Sequence, residues 1–487
     1  MSSASGEQFV ESSLLTLDFN PEFARALELL EHSDEHIFLT GRAGTGKSTL
    51  LRQFRLYTKK KVVVLAPTGV AAVNVAGQTI HSFFGFKPDT TLKKVKSLQP
   101  KKPELYKKLQ TIVIDEISMV RADLLDCIDI FLRKFGPDKK RPFGGIQMVF
   151  IGDLYQLPPV VSESEKELFG PGGLYSSPYF FSAHVISPPA QLFDVTPLAI
   201  IRIELQKVYR QRDTDFVHLL NLIRNNTVTK EHITQLNTRH DPSYRSTHES
   251  MEISLMTTNS MADEMNATML EALEGKEYLF GAQVEGDFEK KAYPADETLR
   301  LKVGAQVMMQ NNDMSGRWIN GTMGVVVSIE EEQVGDSAAL AALSHAWGEA
   351  PQPATTSAPP LTKIKIRLQD GIEVIVMPHT WDMYEFHYNK KSNSVESESI
   401  GSFTQYPLRL AWAVTIHKAQ GKTFDRVVLD IGRGTFAPGQ LYVALSRCTT
   451  FEGLILRRPV ALHHIWIDEQ VVLFMGQAEG EKKKKSA

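Results

Sequence analysis

The chain has 487 residues, 42% of them hydrophobic and 23% charged, with a formal net charge of −3, which describes a globular protein of about three or four domains. No apolar run approaches the ~18 residues of a membrane span, and Met1–Glu7 lacks the basic start and apolar core of a secretory signal, so a cytoplasmic protein with no membrane partner is expected. Cys127 and Cys448 are the only cysteines, too few for a disulfide framework or a zinc site, and the near-neutral balance leaves a local nucleic-acid groove open.

Taken in chain order, the first element is an apolar strand at Ile37-Phe38-Leu39, followed by Gly41-Arg42-Ala43-Gly44-Thr45-Gly46-Lys47-Ser48-Thr49 and a helix-like Leu50–Phe54. This is a complete GxxxxGKS phosphate loop in its strand-to-helix setting. Backbone N–H groups and a helix N-terminus suit phosphate oxygens; Lys47 suits the β/γ-phosphates and the Ser48 hydroxyl suits Mg²⁺. Further strands are predicted at Val62–Leu65, Thr111–Ile114 and Met148–Ile151, alternating with helical stretches over the first ~200 residues, the pattern of a parallel α/β sheet. Residues 87–108 interrupt it with Lys87, Lys93, Lys94, Lys96, Lys101, Lys102, Lys107 and Lys108 against Asp89 and Glu104. They are expected to form a small projecting helical insertion, whose lysines are either a solvated face or a nucleic-acid contact.

The strand Ile112–Ile114 ends in Asp115-Glu116. Behind a phosphate loop, such a pair serves the metal (Asp115) and the attacking water (Glu116). A third strand end, Gly152–Pro159, offers Gln156 to the lytic water or the γ-phosphate. A second α/β region is expected from about residue 200, with a strand at Ile253–Met256 and a resumption at Leu410. Between them, short alternating runs at Gln306–Met309, Gly324–Val327 and Ile364–Arg367 read as a small inserted β-barrel, with a flexible excursion at 336–361. Arg210 and Arg447 lie in this second half. An arginine reaching across a cleft neutralises charge on a transferring phosphoryl group, although most isolated arginines make surface ion pairs. Polar loops suited to a nucleic-acid strand carry Pro67, Thr68, Gly69 and Asn74; His81, Ser82 and Phe83; Thr258 and Asn259; and His417 and Lys418. Phe83 and Phe84 also fit a core.

In this order the segments resemble those of superfamily-1 helicases of the 5′→3′ class over roughly residues 35 to 470. The phosphate loop corresponds to motif I, residues 66–74 to Ia, 78–84 to Ib, Asp115–Ser118 to II, 152–159 to III, Arg210 to IV, 415–430 to V and 439–449 to VI. Met119–Asp129 with Pro142–Gln147 resembles the signature of petite-integration-frequency (PIF-type) DNA helicases. The resemblance implies two RecA-like cores, the first at 15–86 and 109–200 and the second at 201–266 and 406–475. It also implies a wedge at 87–108, a Src-homology-type barrel at 267–405 and a basic tail at 476–487. It implies ATP and Mg²⁺ as cofactors, with Gly41, Gly44, Thr45, Gly46, Lys47, Ser48, Thr49 and Gly421 at the nucleotide and Ser48 and Asp115 at the metal. Glu116 is then the base, and Gln156, Arg210 and Arg447 sense the γ-phosphate. Single-stranded DNA and tailed duplex are the implied partners of a monomeric motor, with G-quadruplexes and RNA–DNA hybrids as open substrates. Leu17–Glu22 offers no glutamine where the family reads adenine, and the long extensions of eukaryotic members are not seen, so a bacterial or phage enzyme associated with the nucleoid is expected.

Overall fold

The structure, a computed structural model, describes residues 20–87, 90–189, 197–207, 213–244, 251–313, 315–331, 362–432, 434–435 and 437–476. The expectations for Arg210, the 336–361 excursion, residues 15–19 and the basic tail beyond Gly476 lie outside them.

The first core is a six-stranded sheet of β1 (His36–Gly41), β2 (Val62–Ala66), β3 (Gln78–Thr79), β4 (Thr111–Ile114), β5 (Gln147–Ile151) and β6 (Ile200–Leu205). Its spatial order is β3-β2-β4-β5-β1-β6, every neighbouring pair parallel. Successive side chains of a strand point to opposite faces. Phe38, Val63, Ile112 and Phe150 join one hydrophobic cluster, and Leu39, Val64, Val113 and Val149 join another. Both faces are covered, which is why these strands read as unbroken apolar runs. The second face is closed by the helices Pro21–His32 and Lys47–Tyr57, which bury Phe23, Ala26, Leu30, Leu50, Leu51 and Phe54.

The family-like signature turns out to be architectural. On the helix Ala122–Phe135, the Asp126 carboxylate accepts the His184 and Val185 N–H groups at 2.9 and 3.0 Å, and Asp129 accepts the Phe143 N–H at 2.6 Å. Burial raises the pKa of both acids above the usual range, while the donated N–H groups and Arg133 beside Asp129 oppose the shift. They fasten two loops that would otherwise leave buried N–H groups unpaired.

The lysine-rich insertion forms two short helices, Leu92–Ser97 and Pro103–Lys108. It does not simply project. Val95, Leu105 and Tyr106 belong to the first-core cluster, and the Tyr106 hydroxyl donates to the Phe83 carbonyl at 2.6 Å. The lysines occupy the outer face.

The second core is a four-stranded parallel sheet. Its strands, counted along the chain, are β7 (Ile253–Met256), β18 (Ala413–Thr415), β19 (Val427–Asp430) and β20 (Leu454–Leu456), in the order β18-β7-β19-β20. Between β7 and β18 lie antiparallel strands. These are β8 (Tyr278–Gly281), β9 (Gln283–Gly286), β10 (Thr298–Leu301), β11 (Gln306–Met309), β12 (Met323–Glu331), β13 (Thr362–Leu368), β14 (Glu373–Val376), β15 (His379–Asn389), β16 (Ser394–Gln405) and β17 (Leu408–Leu410). A five-stranded sheet, β14-β13-β12-β11-β17, encloses its own apolar cluster, as expected for a barrel insertion.

Three boundaries differ from the sequence expectation. Strand β17 pairs with β11, so the barrel runs past residue 405 to 410. The helix Asn259–Glu271 carries the second core across residue 267 without a break. The end of the chain returns to the first core: Phe474 stacks on Phe181 at 4.3 Å, and the Arg202 guanidinium donates to the Met475 carbonyl at 2.6 Å. The hairpin β15–β16 also reaches across. Phe386 packs in the first-core cluster, and Glu385 pairs with Lys102 at 2.5 Å.

Candidate active site between the two cores

The loop Gly41–Gly46 joins β1 to the helix beginning at Lys47. Gly46 sits in the left-handed region (φ 89°, ψ 16°) as it turns the chain into the helix, a conformation that costs a side-chain-bearing residue ~1 kcal/mol or more. The Lys47 ammonium donates to the Gly41 and Arg42 carbonyls at 2.6 and 3.0 Å. This loop forms one wall of a cavity of about 680 Å³. Gly44, Thr45, Gly46, Lys47, Ser48, Thr49, Asp115, Glu116, Gln156, Gly421 and Arg447 all line it, so the structure brings together eleven of the residues singled out for the nucleotide site. Gly41 stands behind the loop, where an added Cβ would lie 2.7 Å from the Leu205 carbonyl oxygen.

Asp115 and Glu116 follow β4 directly. Glu116 takes φ 51°, ψ 45°, which a glutamate rarely adopts, and its N–H donates to Asp115 Oδ1 at 3.0 Å. Such strain costs ~1–3 kcal/mol and persists where the surroundings over-determine it. Burial, with Asp115 adding to it, pushes the Glu116 carboxyl up to about 7, against the pull of Lys47 and Arg447. Burial likewise lowers the Lys47 ammonium, with Asp153 the strongest opposing charge.

The opposite wall comes from the second core, and here sequence reasoning missed several residues. Gln420 lies beside Gly421 in a segment whose neighbours were singled out. Its amide donates to Glu116 Oε2 at 3.3 Å and to Gln156 Oε1 at 3.2 Å, joining the two cores at the reacting end of the cavity. Arg224, from the helix Thr214–Arg224, pairs with Asp153 Oδ1 at 3.2 Å, the side chains 4% and 0% exposed, and lies 4.2 Å from the Tyr155 ring centroid. Asp153 in turn accepts from the Gln156 amide at 3.3 Å. Gly439 must be glycine for close approach, since a Cβ there would fall 2.3 Å from the Tyr155 carbonyl oxygen. Arg447 is 1% exposed and held within its own core: Nε donates to the Val443 carbonyl (2.8 Å), Nη1 to the Lys422 carbonyl (3.2 Å) and Nη2 to Ser446 Oγ (2.8 Å). Phe23 and Ile319 supply apolar wall, a surface suited to the flat face of a nucleobase.

Mg²⁺ keeps several waters and asks for one or two protein oxygens beside substrate phosphates. The Ser48 hydroxyl and the Asp115 carboxylate on one cavity wall fit that demand.

The strand-binding candidates fall into two groups. Thr68, Asn74, Ser82, Thr258, Asn259, His417 and Lys418 are exposed; Pro67 and His81 are partly so. Thr68 and Thr258 also cap the helices Gly69–Asn74 and Asn259–Glu271, accepting the Ala71 and Met261 N–H groups. Burial lowers the His81 and His417 imidazoles, so at neutral pH they offer hydrogen bonds and not charge. Two candidates are constrained by their neighbours, Phe83 by burial and Gly69, partly exposed, by close approach. Phe83 is 5% exposed, edge-on to Phe84 and Tyr106, because the aromatic pair fills the space beneath the lysine-rich insertion. Gly69 is closely approached by Ala292, whose Cβ lies 2.3 Å from where a Gly69 Cβ would stand.

With this geometry, the likeness to known proteins is specific. Residues 23–233 match the model of the PIF1-like helicase family, and residues 410–451 match the UvrD-like helicase C-terminal domain. The ATP-dependent DNA helicase Pif1 of Bdellovibrio bacteriovorus is 31% identical over 95% of this chain and 93% of its own length. Human ATP-dependent DNA helicase PIF1 is 32% identical over 86% of this chain, which spans 58% of that longer protein. Among solved structures, Pif1 from Bacteroides sp in complex with ADP-AlF4 is 33% identical and matches with a TM-score of 0.79, over 96% of this chain and 98% of that one. Bacteroides Pif1 bound to single-stranded DNA matches over the same shares with a TM-score of 0.60. By motif order, active-site geometry and full-length likeness, the chain belongs to the PIF1-like family of ATP-dependent DNA helicases.

Proposed function

We propose that this chain is a motor that moves 5′→3′ along single-stranded DNA and opens tailed duplex, with ATP hydrolysis in the cleft driving each cycle. The observation that carries the reading is the Gln420 amide, which hydrogen-bonds both Glu116 and Gln156 from the opposite core. Closure of the cleft and assembly of the hydrolytic groups are then one event.

The N–H groups of Gly44–Thr49 and the Lys47 ammonium hold the phosphates. Ser48 and Asp115 hold Mg²⁺, which when bound neutralises phosphate charge. Glu116 takes the proton of the attacking water, and Gln156 with Gln420 orients that water. Arg447 and Lys47 meet the charge that grows on the γ-phosphoryl oxygens. Gly421 follows the movement of the cleft, and Arg210 is assigned as a second sensor. Phe23 and Ile319 offer apolar surface to the base. The two sheets act as the cores, the helices at 92–108 as a wedge and the β8–β17 segment as a strand guide. Thr68, His81, Thr258, His417 and Lys418 grip the backbone from both cores, and a single copy suffices. G-quadruplexes and RNA–DNA hybrids belong to the same substrate class.

A rival reading is a translocase that displaces proteins with little unwinding. A nucleotide-gated binding module is disfavoured by the complete hydrolytic set. Phosphate release measured with unstructured single strands of equal length tests the motor. DNA should stimulate turnover, and affinities for unrelated sequences should agree within about tenfold (~1.4 kcal/mol), because the exposed contacts are suited to the backbone. A strong preference for one short sequence, or no stimulation, contradicts the reading.

A further inference from the structure

A second cavity, about 180 Å³, lies where the second core meets the barrel insertion. Its walls are the helix Asn259–Glu271, strand β17 and the loop after β18. On the second-core side, Asn266 ties the helix to β18: it donates to the Ala413 carbonyl at 2.8 Å and accepts the Ala413 N–H at 2.9 Å. Arg409 enters from β17, Thr415 from the end of β18, Lys418 from the loop after it, and Asp263 from the helix, with Asp296 also in the lining. Arg300 also lines the cavity but is matched by both oxygens of Glu277, at 2.7 and 3.2 Å.

Arg409 is differently placed. Its side chain is 19% exposed, and its one hydrogen-bond partner among the described residues is Asp296 Oδ1, at 3.2 Å from Nη2. Asp296 is about half exposed and stands at the mouth. The remaining guanidinium donors have no hydrogen-bond partner among the described residues and suit a multidentate oxygen acceptor. Burial first and then the Arg409 charge depress the Lys418 ammonium, with Asp263 and Asp296 pulling the other way, so Arg409 and Lys418 share one cavity and act on each other. Thr415 Oγ1 accepts the Lys418 N–H at 3.3 Å, which leaves its own proton to donate. The cavity is also one turn along the helix from Thr258 and Asn259, and it shares Lys418 with the exposed strand-binding row.

We propose that Arg409, with Lys418 and Thr415, seats one backbone phosphate of the single strand at the junction of second core and barrel, displacing Asp296 as the resident counter-ion. The inference rests on the DNA-motor reading above and deepens it. Since Arg409 belongs to the barrel sheet and Lys418 to the motor, a seated phosphate ties the strand to both.

The test is binding of a short labelled oligothymidylate to the full chain over a series of salt concentrations. One phosphate contact contributes about 0.7 to the slope of log affinity against log salt for a single strand. Arg409→Gln should lower the slope by about that amount and weaken binding roughly tenfold at low salt. Arg409→Lys should keep the slope. Asp296→Asn should tighten binding, because the competing carboxylate is gone, and it carries the test alone if Arg409→Gln does not fold. An unchanged slope in Arg409→Gln, or weaker binding in Asp296→Asn, overturns the phosphate seat and makes the pair a structural bridge. Those results with a wild-type chain that binds the strand normally leave the motor reading standing; a wild-type chain that does not bind it sinks both.

Discussion

Replacing Glu116 with glutamine should abolish most DNA-stimulated ATP hydrolysis while leaving ATP binding nearly intact. The side chain keeps its shape and its hydrogen-bonding reach toward Gln420, which lies 3.3 Å from Oε2 in the native chain. Only the capacity to take a proton is lost, and a positioned base contributes roughly 10²–10⁴-fold. Turnover should fall by about 10²-fold or more, and affinity for a non-hydrolysable nucleotide should stay within a few-fold. The strained backbone at Glu116 (φ 51°) is unaffected by the change. A variant that turns over at near-native rate would remove Glu116 from the role of base.

Arg447→Ala should have a larger effect still, and mainly on turnover. The guanidinium lines the cavity from the second core and is already held by the Val443 and Lys422 carbonyls and by Ser446. It needs little reorganisation as charge develops on the γ-phosphoryl oxygens, the condition under which electrostatic stabilisation is strongest. Arginines in this role are worth roughly 10³–10⁵ in rate. Turnover should drop toward the lower end of that range, with the Michaelis constant for ATP little changed. Because the truncation also takes the guanidinium donor from the Lys422 carbonyl, while the Val443 carbonyl keeps the Ser446 hydroxyl, Arg447→Lys serves as the companion: it keeps charge but loses the fork, and should recover only part of the rate. A raised Michaelis constant with turnover intact in both variants would make Arg447 a ground-state binding contact.

The phosphate loop and the Asp115-Glu116 strand end were legible in the sequence because they are local. A strand, a turn with special backbone demands and a helix follow one another over residues 36–57, and their chemistry follows from spacing. The parallel sheet was legible for a similar reason, since burial on both faces writes itself as runs such as Val62–Leu65. What could not be read was pairing between distant segments. Nothing near Arg224 announces that its partner is Asp153 in the other core, and Gln420 is an ordinary glutamine until the fold brings Glu116 and Gln156 to it. Phe83 was ambiguous for a physical reason: an aromatic beside polar residues suits a base stack and a core equally, and Tyr106 from the lysine-rich insertion decides for the core. That packing also shows that excising residues 87–108 would uncover Phe83, Phe84 and Phe131. A wedge role is therefore better tested by charge reversal of the exposed Lys93, Lys94 and Lys101.

The central claim is that the two cores step together along one strand in one direction. It is tested most directly by strand displacement with ATP on three duplexes of identical sequence, one with a 5′ single-stranded tail, one with a 3′ tail and one blunt. The 5′-tailed duplex should open and the other two should not. Efficient opening of the 3′-tailed duplex alone would contradict it.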